Sequence, residues 1–164
     1  MIFVTVGTHE QPFNRLLEYV DKMKEKNIIK DDIIMQIGYS TYCPKFCSWK
    51  KLIPYDEMWD NIKKARIIIT HGGPASFIMP LQIGKIPIVI PRQHKFGEHV
   101  NDHQVEFAKV VAEKYKNIIV ANDVSELKNI IQNYNRIVSH ISENIWSNNE
   151  EFNEKLEDIV MKIL

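Results

Sequence analysis

Cysteine is almost missing from this 164-residue chain: Cys43 and Cys47 are the only two. Two are too few for a disulfide framework, and no further cysteine completes a metal set, so both read as reduced thiols in a loop. Net charge is missing as well, since Lys+Arg 21 balances Asp+Glu 21. That balance argues against a general nucleic-acid binder, whose domain is normally strongly basic. It also gives little protection against self-association, which leaves a homo-oligomer or a protein partner open. No apolar run reaches the ~18 residues that a membrane span requires. The opening Met1-Ile2-Phe3-Val4-Thr5-Val6-Gly7 lacks the basic start of a signal peptide and reads as a strand. The expectation is a cytoplasmic chain that touches a membrane peripherally, through a partner.

Several motifs are absent too. Gly7-Thr8-His9 follows the first strand, but Glu10, Gln11 and Pro12 come next, so neither a Gly-x-Gly-x-x-Gly fingerprint nor a P-loop is present. This disfavours a Rossmann oxidoreductase. Glu98 precedes His99 instead of following it, which breaks the His-Glu-x-x-His zinc pattern. His99 and His103, four apart, can share a helix face, yet no third ligand is evident and no metal site is assigned. No Ser-His-Asp or Cys-His set can be picked out.

What is present is 45% hydrophobic content, enough for a core in one domain of this length, which buries ~68–70% of its unfolded surface. Apolar runs of strand length alternate with amphipathic stretches. Strands are expected at 2–6, 33–37, 51–53, 66–70, 87–91 and 117–120. Helices are expected over 13–23, 55–64, from 74 to about 83, from about 99 to 114, and after a cap at Asp123 or Ser125. A helical tail follows from about residue 135, with Asn-rich interruptions at 147–149. The pattern predicts a single α/β domain over 1–164, with a doubly wound, mostly parallel, Rossmann-like sheet of about six strands. Ligands of such sheets bind beyond the carboxyl ends of the strands, where the strand order reverses. That rule selects three segments.

Thr70-His71-Gly72-Gly73-Pro74-Ala75-Ser76 joins a buried strand to a helix. Its glycines permit positive φ or close approach, and the helix start favours an anion such as phosphate. A plain tight turn is the alternative, with His71 a packing residue. Gly7-Thr8 is a weaker candidate of the same kind. The third segment is Arg92-Gln93-His94-Lys95-Phe96-Gly97-Glu98-His99-Val100-Asn101-Asp102-His103-Gln104. Its amides and carboxylates suit sugar or ribose hydroxyls, and Arg92 and Lys95 can offset diphosphate charge. The bland alternative is a solvated polar loop. Trp49, Trp59 and Trp146 are core or interface anchors that spacing does not separate.

Together, Phe3-Val4-Thr5-Val6-Gly7-Thr8, Ile69-Thr70-His71-Gly72-Gly73-Pro74, the stretch 84–92 and the stretch 95–104 resemble the C-terminal, nucleotide-sugar-binding half of family 28 glycosyltransferases. The small single-domain branch used in capsular and exopolysaccharide synthesis is the nearest in pattern. The resemblance implies half of a GT-B transferase split over two polypeptides, with a membrane-associated partner carrying a lipid-linked saccharide acceptor. This half would bind a UDP-sugar as donor substrate and need no other cofactor. It implies a diphosphate and nucleotide pocket lined by Gly7, Thr8, His71, Gly72, Gly73, Ala75 and Ser76. Arg92, Asn101, Asp102 and Gln104 would face the donor. His9 is a candidate general base, with a residue of the partner the alternative.

One departure stands out. Many relatives carry a Glu five residues before the glycine matching Gly84, where it grips ribose; here that residue is Met79, followed by Pro80. Ribose recognition would then fall to Glu98 or be weak. A different reading, favoured by Met79, is a non-catalytic enhancer that stabilises a membrane-associated transferase. Nothing in the residues selects among galactose, glucuronic acid and N-acetylglucosamine.

Overall fold

A computed structural model describes residues 1–145. Six strands form one sheet: β1 (Ile2–Thr5), β2 (Ile33–Gln36), β3 (Ser48–Lys50), β4 (Ile67–His71), β5 (Ile88–Ile90) and β6 (Ile119–Val120). Every neighbouring pair is parallel and the order is β3-β2-β1-β4-β5-β6. The chain winds outward from β1 in one direction and then from β4 in the other. β1 and β4 therefore mark the reversal, with Thr5 in register with both Gln36 and Thr70.

Among the described residues, five helices cover the two faces. On one face lie α1 (Asn14–Glu25) and α5 (Leu127–Ile145), packed on Ile2, Val4, Ile67, Ile69 and Ile88. On the other lie α2 (Tyr55–Lys64), α3 (Pro74–Leu81) and α4 (His103–Tyr115), packed on Phe3, Ile68 and Val89. The central strands bury both faces, which is why they read as unbroken Ile/Val runs. Each such side chain contributes ~1.5–3 kcal/mol by leaving water.

Charged anchors fasten the connections. Lys85 Nζ caps the end of α2, donating to the carbonyls of Ile62, Lys63 and Ala65 at 2.9, 2.5 and 2.7 Å. β2 reaches β3 without a helix, and the buried Asp21 of α1 holds that loop. Its carboxylate accepts from Tyr42 Oη (2.8 Å) and from the Lys45 and Phe46 N–H groups (2.8 and 2.9 Å). Burial pushes the Asp21 pKa up, but these donors prevail and hold it below the ordinary carboxylate value. The buried Cys47 thiol is pushed up to about 12 by burial and then by Asp21; Cys43 is exposed, and both are free.

Two expectations need correction. The third strand lies three residues earlier than 51–53, because Ser48, Trp49 and Lys50, all exposed, pair with β2 at the sheet edge. α4 starts at His103, so His99 and His103 do not share a helix face. The start is set locally by Asn101, whose Oδ1 accepts the His103 N–H at 3.1 Å; Asp102 Oδ1 accepts the His94 N–H at 2.9 Å. The last helix runs unbroken through residue 135, after a 3₁₀ turn at Val124–Glu126 with an Asp123/Glu126 capping box. Trp146 and the expected interruptions at 147–149 lie outside the described residues.

Candidate functional site

The order reversal opens a cleft of about 460 Å³ between the ends of β1 and β4, walled by α2 and α3. Gly7 turns the chain away from β1 with φ +72° and donates its N–H to Thr5 Oγ1 at 3.2 Å. The same hydroxyl accepts from Gln36 Nε2 at 3.2 Å, while Gln36 Oε1 takes the Ile53 N–H at 3.0 Å. On the floor of the cleft the Thr5 hydroxyl thus accepts two bonds and keeps its own proton, while Gln36 is engaged at both ends of its amide.

His71 ends β4 and organises the wall. Its Nδ1 accepts the Gly73 N–H at 3.0 Å, and its Nε2 lies 2.9 Å from Ser76 Oγ. A backbone N–H can only donate, so Nδ1 carries the lone pair and Nε2 the proton, donated to Ser76. The Ser76 hydroxyl keeps its own proton for a ligand. Burial, followed by the nearby Arg92 charge, lowers the His71 pKa to about 4, with Gln104 acting in the opposite sense. The ring is therefore neutral at pH 7.

The glycines around it have a different cause from the one expected. Gly73 has φ −75°, and Gly72 is not among the positive-φ residues. They are small because the space is taken: a Cβ on Gly73 or Gly7 would run into the His71 ring, and one on Gly72 would lie 2.9 Å from Gln104 Cβ. α3 then begins with Pro74 at its first position and no side-chain cap. Pro74 has no N–H, and the first-turn Ala75 N–H has no intrahelical acceptor. Ala75 and Ser76 both line the cleft.

Of the predicted residues, Gly7, Thr8, His9, His71, Gly73, Ala75 and Ser76 line this cleft. Gly72 sits behind it against Gln104, whose Oε1 accepts the Arg92 N–H at 3.2 Å. Arg92 is wholly buried and points elsewhere. Its Nη1 donates to the carbonyls of Gln11 (2.6 Å) and Glu98 (3.0 Å), and its Nη2 to that of Val6 (2.8 Å). Burial lowers its pKa to about 10, partly offset by Glu98, so it stays cationic. Glu98 is engaged as well, accepting from Arg15 Nε and Nη2 at 2.9 and 3.0 Å and from the Gln93 N–H at 3.1 Å. It lines a separate groove on the α1 face and is not among the residues lining the cleft. Asn101 accepts the His103 N–H at the α4 start, and the exposed Asp102 ties back to the His94 N–H.

His9 stands at the cleft with its ring 4.7 Å from that of His99. Its Nδ1 accepts the Gln11 N–H at 3.1 Å, which leaves the neutral ring presenting an Nε2–H donor. Burial, then Arg92 and His99, lower its pKa. Sequence reasoning did not select Thr5, Gln36, Met58 and Ile62. Thr5 and Gln36 carry a signal, as polar residues ending apolar strand runs. Met58 and Ile62 read as ordinary helix core, and with Met79 they give the cleft an apolar wall.

The profile of the glycosyltransferase family 28 C-terminal domain matches residues 1–163. The human UDP-N-acetylglucosamine transferase subunit ALG13 is 33% identical over 117 residues, 66% of this chain and 10% of that protein. Among solved structures, the glycosyltransferase SnogD from Streptomyces nogalater superposes with TM-score 0.55 at 13% identity, over 89% of this chain and 39% of its own. The kitacinnamycin glycotransferase gives 0.62 at 15%, over 87% and 37%. The calicheamicin glycosyltransferase CalG4 gives 0.54 at 14%, over 99% and 43%. At such identities the structural likeness is one of fold. The chain spans a tenth of the curated relative and roughly two-fifths of each of these structures. No helix among the described residues is long and apolar enough to cross a membrane.

Proposed function

The chain belongs to the glycosyltransferase family 28 C-terminal domain family, and from that premise we propose that it is the donor-binding part of a two-component glycosyltransferase. The donor is a UDP-sugar, whose diphosphate lies at the start of α3. The observation that carries this reading is the pair of unengaged donors, Ala75 N–H and Ser76 Oγ–H, in a cleft at the strand-order reversal. A helix start contributes ~0.3–1 kcal/mol toward an exposed anion and up to ~2 when partly buried. The same donors would stabilise the charge that develops on the departing diphosphate as an acceptor hydroxyl attacks the anomeric carbon. The His9 lone pair is engaged by Gln11, and its free nitrogen bears a proton. His9 therefore donates to the leaving group in this scheme, and the general base comes from the partner.

The partner is a membrane-associated polypeptide that holds a lipid-linked saccharide of capsular or exopolysaccharide synthesis. The name "subunit" of the human relative supports a two-part assembly. Titration calorimetry with UDP tests the reading. Saturable binding is expected for the chain, and a loss of about tenfold or more for Gly73→Ala, whose Cβ displaces His71 from Ser76. Absence of UDP binding, or binding indifferent to Gly73→Ala, would reject it. If cleft variants lose UDP yet leave turnover of the assembled pair unchanged, the chain is a non-catalytic enhancer.

A further inference from the structure

The exposed apolar side chains are not spread evenly. Five of the eleven large ones among the described residues, Tyr39, Phe46, Trp49, Leu52 and Tyr55, fall on the edge strand β3 and the segments flanking it. Tyr55 alone is 69% exposed. From residue 33 to 55 there is no Asp or Glu, and the charges are Lys45, Lys50 and Lys51. In a chain of zero net charge this is a local basic block. Lys50 is paired with Glu57 of α2 at 2.7 Å, while Lys51 Nζ stands 5.4 Å from the Tyr39 ring centre and Lys45 is exposed. The Trp49 indole N–H donates to the Pro44 carbonyl at 3.1 Å, so the ring is held at the edge with its polar atom satisfied.

We propose that this edge rests directly on an anionic lipid surface. Aromatic rings with one polar end favour the water–hydrocarbon boundary, and lysines among them are drawn to anionic headgroups. A protein partner fits less well. Lysine is depleted in protein interfaces, and a three-residue strand bearing Lys50 is too short to receive another chain's strand. Tyr55 begins α2, whose Met58 lines the cleft, so contact here keeps the cleft beside the bilayer. The inference goes beyond the donor reading and does not depend on it.

The test is flotation of the full chain, without nucleotide, with vesicles of phosphatidylcholine alone or mixed with phosphatidylglycerol. Retention on the mixed vesicles is expected, falling as salt rises. Lys45→Glu with Lys51→Glu should weaken it about tenfold or more, and so should Phe46→Ser with Trp49→Ser. Lys109→Glu with Lys114→Glu, on α4, should leave it unchanged. The lysine variants change exposed side chains only, and thermal unfolding verifies that each variant folds. No retention, retention equal on neutral vesicles, or edge variants that bind like the unmodified chain would overturn the proposal. So would capture only by vesicles carrying a membrane protein, which would make this edge a protein interface.

Discussion

Two cavities of about 460 Å³ each occupy the same end of the sheet on opposite faces. The groove on the α1 face holds the charges: Arg15 and Glu98 meet in a fork at 2.9 and 3.0 Å, and Arg92 runs behind it to three carbonyls. The cleft on the α2–α3 face is lined by no Asp, Glu, Lys or Arg, yet it keeps unengaged donors. Charge density along the chain is therefore a poor guide to a ligand site here. Buried charges need partners, and in this protein they find them in each other and in the backbone. What remains for a ligand is the backbone and hydroxyl chemistry of a turn with little formal charge.

Removing Arg92 tests that contrast most severely. Arg92→Met keeps the stem but strands the carbonyls of Val6, Gln11 and Glu98. Breaking a buried charge network costs ~3–5 kcal/mol, so urea unfolding should show a loss of that order. An Arg92 whose task is to hold diphosphate would instead leave stability intact and remove only UDP binding.

The cleft has its own signature in pH. The His71 pKa falls from 6.5 to about 4 on folding. Below pH 6.5 the unfolded chain takes up a proton that the folded chain refuses, so stability present above that pH is lost as pH falls toward 4. At ~1.4 kcal/mol per pKa unit the loss amounts to about 3 kcal/mol. Urea midpoints from pH 7 to pH 4 should therefore decline less steeply in His71→Gln. Equal slopes would mean that the imidazole is not held neutral between Gly7 and Gly73.

The fold was readable because its strands are buried on both sides: β1, β2, β4 and β5 announce themselves as Ile/Val runs. β3 was misplaced because an exposed edge strand has no apolar pattern to read, and Leu52-Ile53 nearby supplied a false one. Half of the candidate site was legible for a related reason. The strand-order rule points to the ends of β1 and β4 whatever their side chains are, and Gly7, His71 and Ser76 are there. The segment 92–104 is harder to read, because polar residues look alike whether they face a ligand or one another. Only tertiary contact shows that Glu98 belongs to Arg15. Gly72 and Gly73 are visible in the sequence, but the causes of their small size, Gln104 at the Cβ position of Gly72 and the His71 imidazole at that of Gly73, are not written there.

The smallest expected effect concerns the sugar of the nucleotide. A carboxylate that grips a ribose diol makes charge-assisted bonds, so losing one hydroxyl would cost ~1.5–3 kcal/mol, tenfold or more in affinity. In this cleft Met79 stands with Met58 and Ile62 as an apolar wall, and the nearby acid, Glu98, is bound to Arg15 on the far face. The Thr5 and Gln36 groups on the floor are engaged with each other and with backbone. A 2′-hydroxyl therefore meets no charged acceptor here. Calorimetry should find 2′-deoxyuridine diphosphate within about threefold of uridine diphosphate, the scale of an exposed neutral hydrogen bond. A penalty above tenfold would mean that an acidic group from another polypeptide enters the cleft, and the two cavities would then differ less in charge than this chain alone makes them.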